Sequence, residues 1–135
     1  MGNNISNNIF NNISNINKLD PISLQSLIND KNYILINTLS ENNQNCLIYK
    51  TILAKDEVTI INNYLSNNKS INIIIYGKNS YDDSIIKKYF QLKNLGFNNL
   101  YIYIGGLFEW LLLQQIYGDD EFKTTSKIYD ILQYK

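Results

Sequence analysis

A chain of 135 residues, 44% hydrophobic and 13% aromatic, holds enough apolar material for one compact domain. Its twelve basic residues, all lysine, balance twelve acidic ones, so no long-range field of one sign gathers nucleic acid or anionic lipid. There is no histidine, no arginine and a single cysteine, Cys46. That set excludes Ser-His-Asp and Cys-His machinery, an ordinary zinc site, a bidentate arginine clamp and an internal disulfide.

Residues 1–20, "MGNNISNNIFNNISNINKLD", are read as a flexible N-terminal tail. Ile5, Ile9, Ile13 and Ile16 recur at helical spacing and would share one face, but asparagine is a poor helix former, so a helix is expected only when that stripe is covered. Drift in an AT-rich genome, such as that of a protist or a large DNA virus, accounts for the stripe equally well. Asparagine and isoleucine together make up about a third of the chain. The opening "MGNNIS" fits the N-myristoylation pattern, with Gly2 as the acylated residue and Ser6 at the favoured position. One myristoyl chain binds membranes only marginally, with a constant of about 10⁴ M⁻¹, so stable residence needs a second contribution. No polybasic run stands beside Gly2 and no cysteine lies in the tail, which leaves the isoleucine stripe and Phe10 to lie in the bilayer interface, against the domain or against a partner protein. No apolar run approaches the ~18 residues of a membrane span, and no secretory signal is present. The expected location is cytoplasmic, peripheral on a membrane if Gly2 is acylated.

Pro21 marks the expected start of the folded domain. "ISLQSLIND" reads as a short helix and "YILINTL" (33–39) as a buried strand of β-branched and aromatic residues. "CLIYKTI" (46–52) reads as a second, shorter strand or an extended loop. Val58, Ile61 and Leu65 fall at helical intervals behind acidic Asp56 and Glu57, which predicts a helix over 56–66. "INIIIY" (71–76) is apolar on both faces, as a central parallel strand covered on both sides must be. A helix over 83–95 stops at Gly96, "NNLYIYI" (98–104) forms another strand, and after "GG" a helix runs to Gly118. Residues from about 119 form a C-terminal extension. The alternation gives an α/β fold, a small three-layer sandwich with a mainly parallel central sheet flanked by helices.

Over residues 22–118 this order of elements and motifs resembles a rhodanese-like domain. The segments that carry the resemblance are "IIIYG", "KNSYDD", "SIIKKYFQLKN", "LGFNNLYIYI" and "GGLFEW". In the first half "ILINTL" stands where that family has "lIDvR", and "CLIYKTI" where it has "GHIpGA". The resemblance implies a catalytic cysteine at the end of the central strand, holding a persulfide among loop N–H groups and the N-terminus of the next helix. Here Gly77 occupies that position, and Asp82 stands roughly where the family's loop arginine would be.

The loop Gly77, Lys78, Asn79, Ser80, Tyr81, Asp82, Asp83 is therefore read as a degenerate catalytic loop with no catalytic residue. Neither sulfurtransferase nor cysteine-phosphatase chemistry can run through it. Asp82 and Asp83 are expected to cap the following helix and fill the anion hole from within, rather than to bind a cation, and Lys78 to be solvated. Gly105 and Gly106 would supply a tight turn and Trp110 a core residue, as their counterparts do in this family. Phe108, Leu112 and Tyr117 are either a contact surface or one face of an ordinary buried helix. Nothing adjacent in sequence lowers the Cys46 pKa, so a small buried residue is expected there, with a persulfide carrier as the alternative.

The resulting expectation is a non-catalytic rhodanese-like adaptor without metal or cofactor. It would be anchored through Gly2 and act by binding a protein partner. The rivals are a sulfur carrier using Cys46 and an assembly component, for example of a virus particle, docking through the tail.

Overall fold

The computed structural model describes residues 15–135. Five parallel strands, β1 (Asn17–Lys18), β2 (Tyr33–Asn37), β3 (Thr51–Ile52), β4 (Asn72–Tyr76) and β5 (Leu100–Tyr103), form one sheet in the order β1-β5-β4-β2-β3. Strand β4 is the middle of the sheet. Its alternating side chains enter two separate cores, which is why it carries no polar face.

Ile73 and Ile75 join Ile36 and Ile102 under α2 (Glu57–Asn67) and α3 (Ser84–Leu95), whose inward residues are Ile61, Ile85, Tyr89 and Leu92. Ile74 and Tyr76 join Leu35 and Tyr103 on the opposite face, under α1 (Pro21–Leu27) and α4 (Gly106–Tyr117), which supply Leu24, Leu107, Trp110 and Leu111. Helix α1 starts on Asp20, whose side chain accepts from Ser23 N at 2.7 Å, with proline at the first helical position. Helix α3 ends on Gly96 at φ 113°, the left-handed residue expected there.

In three places the structure goes beyond the sequence reading. The folded domain begins before Pro21: β1 pairs with β5, and Ile16 is buried in the core beneath α2 and α3. One member of the isoleucine stripe is thus used by the domain itself, whereas Gly2, Ile5, Ile9 and Ile13 lie outside the described residues. Of residues 46–52, expected as a shorter strand or an extended loop, only Thr51–Ile52 joins the sheet, because Lys50 turns into the left-handed region at φ 68° and breaks the extended run. Residues 46–49 are held instead by the segment after α4. Ile48 bridges antiparallel to Thr124, Tyr49 N donates to Lys123 O at 3.0 Å, and Thr125 N donates to Leu47 O at 2.8 Å. Part of the expected extension is therefore core: Phe122 is buried against Trp110 with ring centroids 5.0 Å apart, and the Trp110 indole donates to Lys123 O at 3.0 Å.

Candidate functional site: a loop filled by its own carboxylate

Strand β4 delivers Gly77 to the C-terminal edge of the sheet, and the chain then turns through residues 78–83 into α3. The backbone of Gly77 is not left-handed, so no conformational demand excludes a side chain there. Space does. A Cβ built on Gly77 would lie 2.5 Å from Asp82 Oδ2 and 2.9 Å from Thr38 Oγ1. The room that a side chain at 77 needs is taken by the Asp82 carboxylate.

That carboxylate is held on several sides. Asp82 Oδ2 accepts from Lys78 N at 3.1 Å, and Oδ1 accepts from Ser84 N at 3.0 Å and from the Ser84 hydroxyl at 2.5 Å. Ser84 Oγ also lies 2.7 Å from Thr38 Oγ1 at the end of β2. Serine has one hydroxyl proton, which the charged acceptor attracts more strongly than a neutral hydroxyl does. Burial acts to push the Asp82 carboxyl up. The hydrogen bonds from the Ser84 side chain, the Lys78 and Ser84 amides and Thr38 outweigh it and hold the pKa below the usual carboxylate value. One loop N–H, of Lys78, and the first N–H of the helix, of Ser84, are thus engaged by an anion of the chain itself.

Asp83 stands at the N-cap position of α3 but makes no side-chain capping bond, so of the two expected caps only Asp82 bonds to the first turn. Lys78 contributes its backbone to the loop, with N on Asp82 and O accepting from Phe108 N at 2.9 Å. Asn79 ties the loop in two directions: its Oδ1 accepts from Tyr81 N at 2.9 Å, and its Nδ2 donates to Tyr134 O at 2.9 Å. Ser80 and Tyr81 face solvent.

The glycine pair supports the loop from below. Leu107 N donates to Gly77 O at 2.9 Å, which draws the start of α4 against the loop. Gly106 has φ 70°, and a Cβ on it would come within 2.7 Å of Gly77 O and 2.8 Å of Asn79 N. Gly106 therefore requires glycine twice over, for its dihedral and for the close approach. A Cβ on Gly105 would meet the Glu109 side chain, whose carboxylate accepts from the Tyr103 hydroxyl at 2.7 Å. Burial, reinforced by that carboxylate, raises the Tyr103 phenol strongly. Trp110 is fully buried. On the outer side of α4, Phe108 is half-buried, while Leu112 and Tyr117 are 38% and 62% exposed.

Cys46 is 0% exposed, and its thiol donates to Ser126 O at 3.3 Å. It shares a core cluster with Tyr76 and Tyr134. Beside it the Tyr76 hydroxyl sits 2.7 Å from Thr51 Oγ1 and accepts from Ile48 N at 3.1 Å. Burial raises the Tyr76 phenol far more than these bonds lower it. The sequence reading did not reach Thr38, Ser84 or Tyr134. Thr38 and Tyr134 are brought to the loop only by tertiary contact, while Ser84, two residues after Asp82, was legible as a helix-start residue but not as a donor to that carboxylate.

No family model matches the chain, and no curated protein matches it in sequence. Solved structures do. Saccharomyces cerevisiae Ygr203w, described as a homolog of single-domain rhodanese and the Cdc25 phosphatase catalytic domain, superposes with a TM-score of 0.62 at 17% identity, covering 86% of this chain and 91% of that one. The Alr3790 protein of Anabaena sp. gives 0.59 at 21% identity, over 84% and 83%. A domain of the Anabaena protein described as Rhodanese_3 like gives 0.52 at 17%, over 72% and 95%. EanB in complex with ergothioneine gives 0.53 at 16%, and the chain spans only 24% of the EanB length. At these identities the likeness is one of fold, and with its five-stranded parallel sheet flanked by helices on both faces this chain has the rhodanese-like domain fold.

Proposed function

We infer that the chain is a non-catalytic rhodanese-like module that works by binding a protein partner. One observation carries the reading: the Asp82 carboxylate occupies both the space of a side chain at 77 and the donors around it. A thiosulfate or phosphate group would have to displace a negative charge held by three hydrogen bonds, and would then find no nucleophile at Gly77. The chemistry named for Ygr203w's relatives has no counterpart in this loop. Acylation of Gly2 would place the module at a membrane, and that part of the reading rests on the sequence pattern.

The experiment is a thiosulfate sulfurtransferase assay with cyanide as acceptor, run on the wild-type chain and on Cys46→Ser. Both are expected at the rate of the enzyme-free control. Turnover by the wild type that Cys46→Ser abolishes would overturn the reading and make Cys46 a sulfur carrier.

A further inference from the structure

The segment after α4 is held in two unequal ways. Residues 122–126 are built into the domain through Phe122, through the bridge of Thr124 to Ile48, and through Thr125 and Ser126, whose hydroxyl donates to Asn45 O at 2.7 Å. Residues 127–135 are held by little. Among the described residues, their one side-chain hydrogen bond to the rest of the domain is Asn79 Nδ2 to Tyr134 O, and their other bonds, from Gln133 to Asp130 and from Lys135 to Leu132, are internal. Tyr134 alone in this stretch is fully buried, at 4% exposure, with Ile128 and Ile131 half-buried beside it. Tyr129 and Leu132 are 88% and 64% exposed.

What this segment covers is the rim of the filled loop. Tyr134 packs into the cluster of Cys46, Tyr76 and Leu107, and the short turn Ile131–Tyr134 lies along α4. Asn79 links the two: one end of its amide fixes the loop through Tyr81 N and the other holds the segment. Segments held by few buried contacts open locally at a small fraction of the global unfolding free energy.

We propose that residues 127–135 are a detachable strap, and that the slot beneath it is the partner-binding surface. The occupant it fits in trans is a peptide of the strap's own chemistry: an apolar residue and, three positions later, an aromatic residue whose main-chain carbonyl accepts from Asn79. This rests on the non-catalytic reading above and names its binding surface. Strap release exposes an aromatic slot next to a loop that is already rigid, so the partner exchanges one short peptide for another without reorganising the domain. A partner peptide gains only its advantage over a tethered competitor, which makes the bound state easy to regulate.

Cys46 shares a buried cluster with Tyr134, while its thiol bonds to Ser126 O outside the strap, so it reports on the strap through the change that Tyr134→Ala makes. In the full-length wild type, labelling of Cys46 by a disulfide reagent is expected to proceed by local opening, with a rate almost independent of urea at low concentration. Tyr134→Ala should raise that rate by about tenfold or more. A synthetic peptide of residues 127–135 should slow it again, and the same peptide with alanine for Tyr134 should not. Labelling of the wild type with the urea dependence of global unfolding would overturn the strap whatever the variant does. A Tyr134→Ala rate unaffected by the peptide would overturn the slot, and a wild-type dimer that exchanges straps would reassign it to a second copy. None of these outcomes depends on sulfur transfer, so the turnover assay fails or succeeds independently.

Discussion

Asp82 is the residue on which both the chemistry and the stability of the loop turn. Its folded pKa is lowered: burial raises it, and the donors from Ser84, Lys78 and Thr38 overcome that effect. A carboxyl depressed in the folded state contributes stability that is fully present above its unfolded value, about 3.9, and is lost as pH falls through the folded value. Asp82→Asn keeps the shape and removes the charge. The variant is expected to be less stable than wild type at pH 7 in urea unfolding, with the gap closing as pH drops below about 4. A gap that stays constant to pH 2 would show that the charge is not what the loop holds. The sequence allowed an acidic residue near the helix start to be read as a cap. It did not reveal that one carboxylate, Asp82, serves the loop while its neighbour Asp83 makes no side-chain capping bond, because the choice is made by the geometry of Thr38 and Ser84.

At the scale of elements, the loop depends on how closely the start of α4 approaches it. Gly106 lies at φ 70° with Gly77 O 2.7 Å from the position of its absent Cβ. Gly106→Ala therefore combines left-handed strain with an overlap against backbone that has no free end to move. A loss of more than about 1 kcal/mol is expected, measured by urea unfolding. Gly96→Ala is the control, since Gly96 is also left-handed, at φ 113°, but the nearest atom to its Cβ position is the end of the Lys69 side chain at an ordinary 3.7 Å, and it should cost less. Equal losses would mean that close approach plays no part. Elements with strong local signals were legible: β4 from its unbroken apolar run, α3 from its period and Gly96 stop, and α4 from the glycines at its two ends. Two elements were not. The two residues of β1 lie in an asparagine-rich stretch without strand pattern, and they pair because Ile16 finds the core. Residues 46–49 look like a strand, but Lys50 turns the chain, and they pair with residues 123–125, more than seventy positions away, which no local pattern signals.

For the whole molecule, the fold places the filled loop, the strap and Cys46 on one assembly of contacts, while the first fourteen residues fall outside the described part. No helix among the described residues is long and apolar enough to cross a membrane, and the proposed attachment through Gly2 is tested separately. Expression in a eukaryotic host should give a chain lacking Met1 and carrying a C14 acyl group on Gly2 by intact mass. The Gly2→Ala variant should lack it and shift from the membrane fraction to the supernatant. Because one acyl chain binds marginally, the wild type is expected in both fractions. An unmodified N-terminus in that host would leave the domain of rhodanese-like fold without the anchor.

The central claim is that Asp82 stands in for both a side chain at 77 and the anion the loop would bind. A double-mutant cycle between the two positions tests it most directly, using Gly77→Cys, Asp82→Ala and the pair, with stability read by urea unfolding at pH 7. Gly77→Cys in the presence of Asp82 must push aside a carboxylate 2.5 Å from its Cβ, an overpacking expected to cost about 1–3 kcal/mol. In the Asp82→Ala background the carboxylate is gone and only Thr38 Oγ1, 2.9 Å from the Cβ position, is left to shift, so the same substitution should cost less, giving a coupling energy of about 1–3 kcal/mol. Additive losses, with Gly77→Cys equally costly in both backgrounds, would contradict the account.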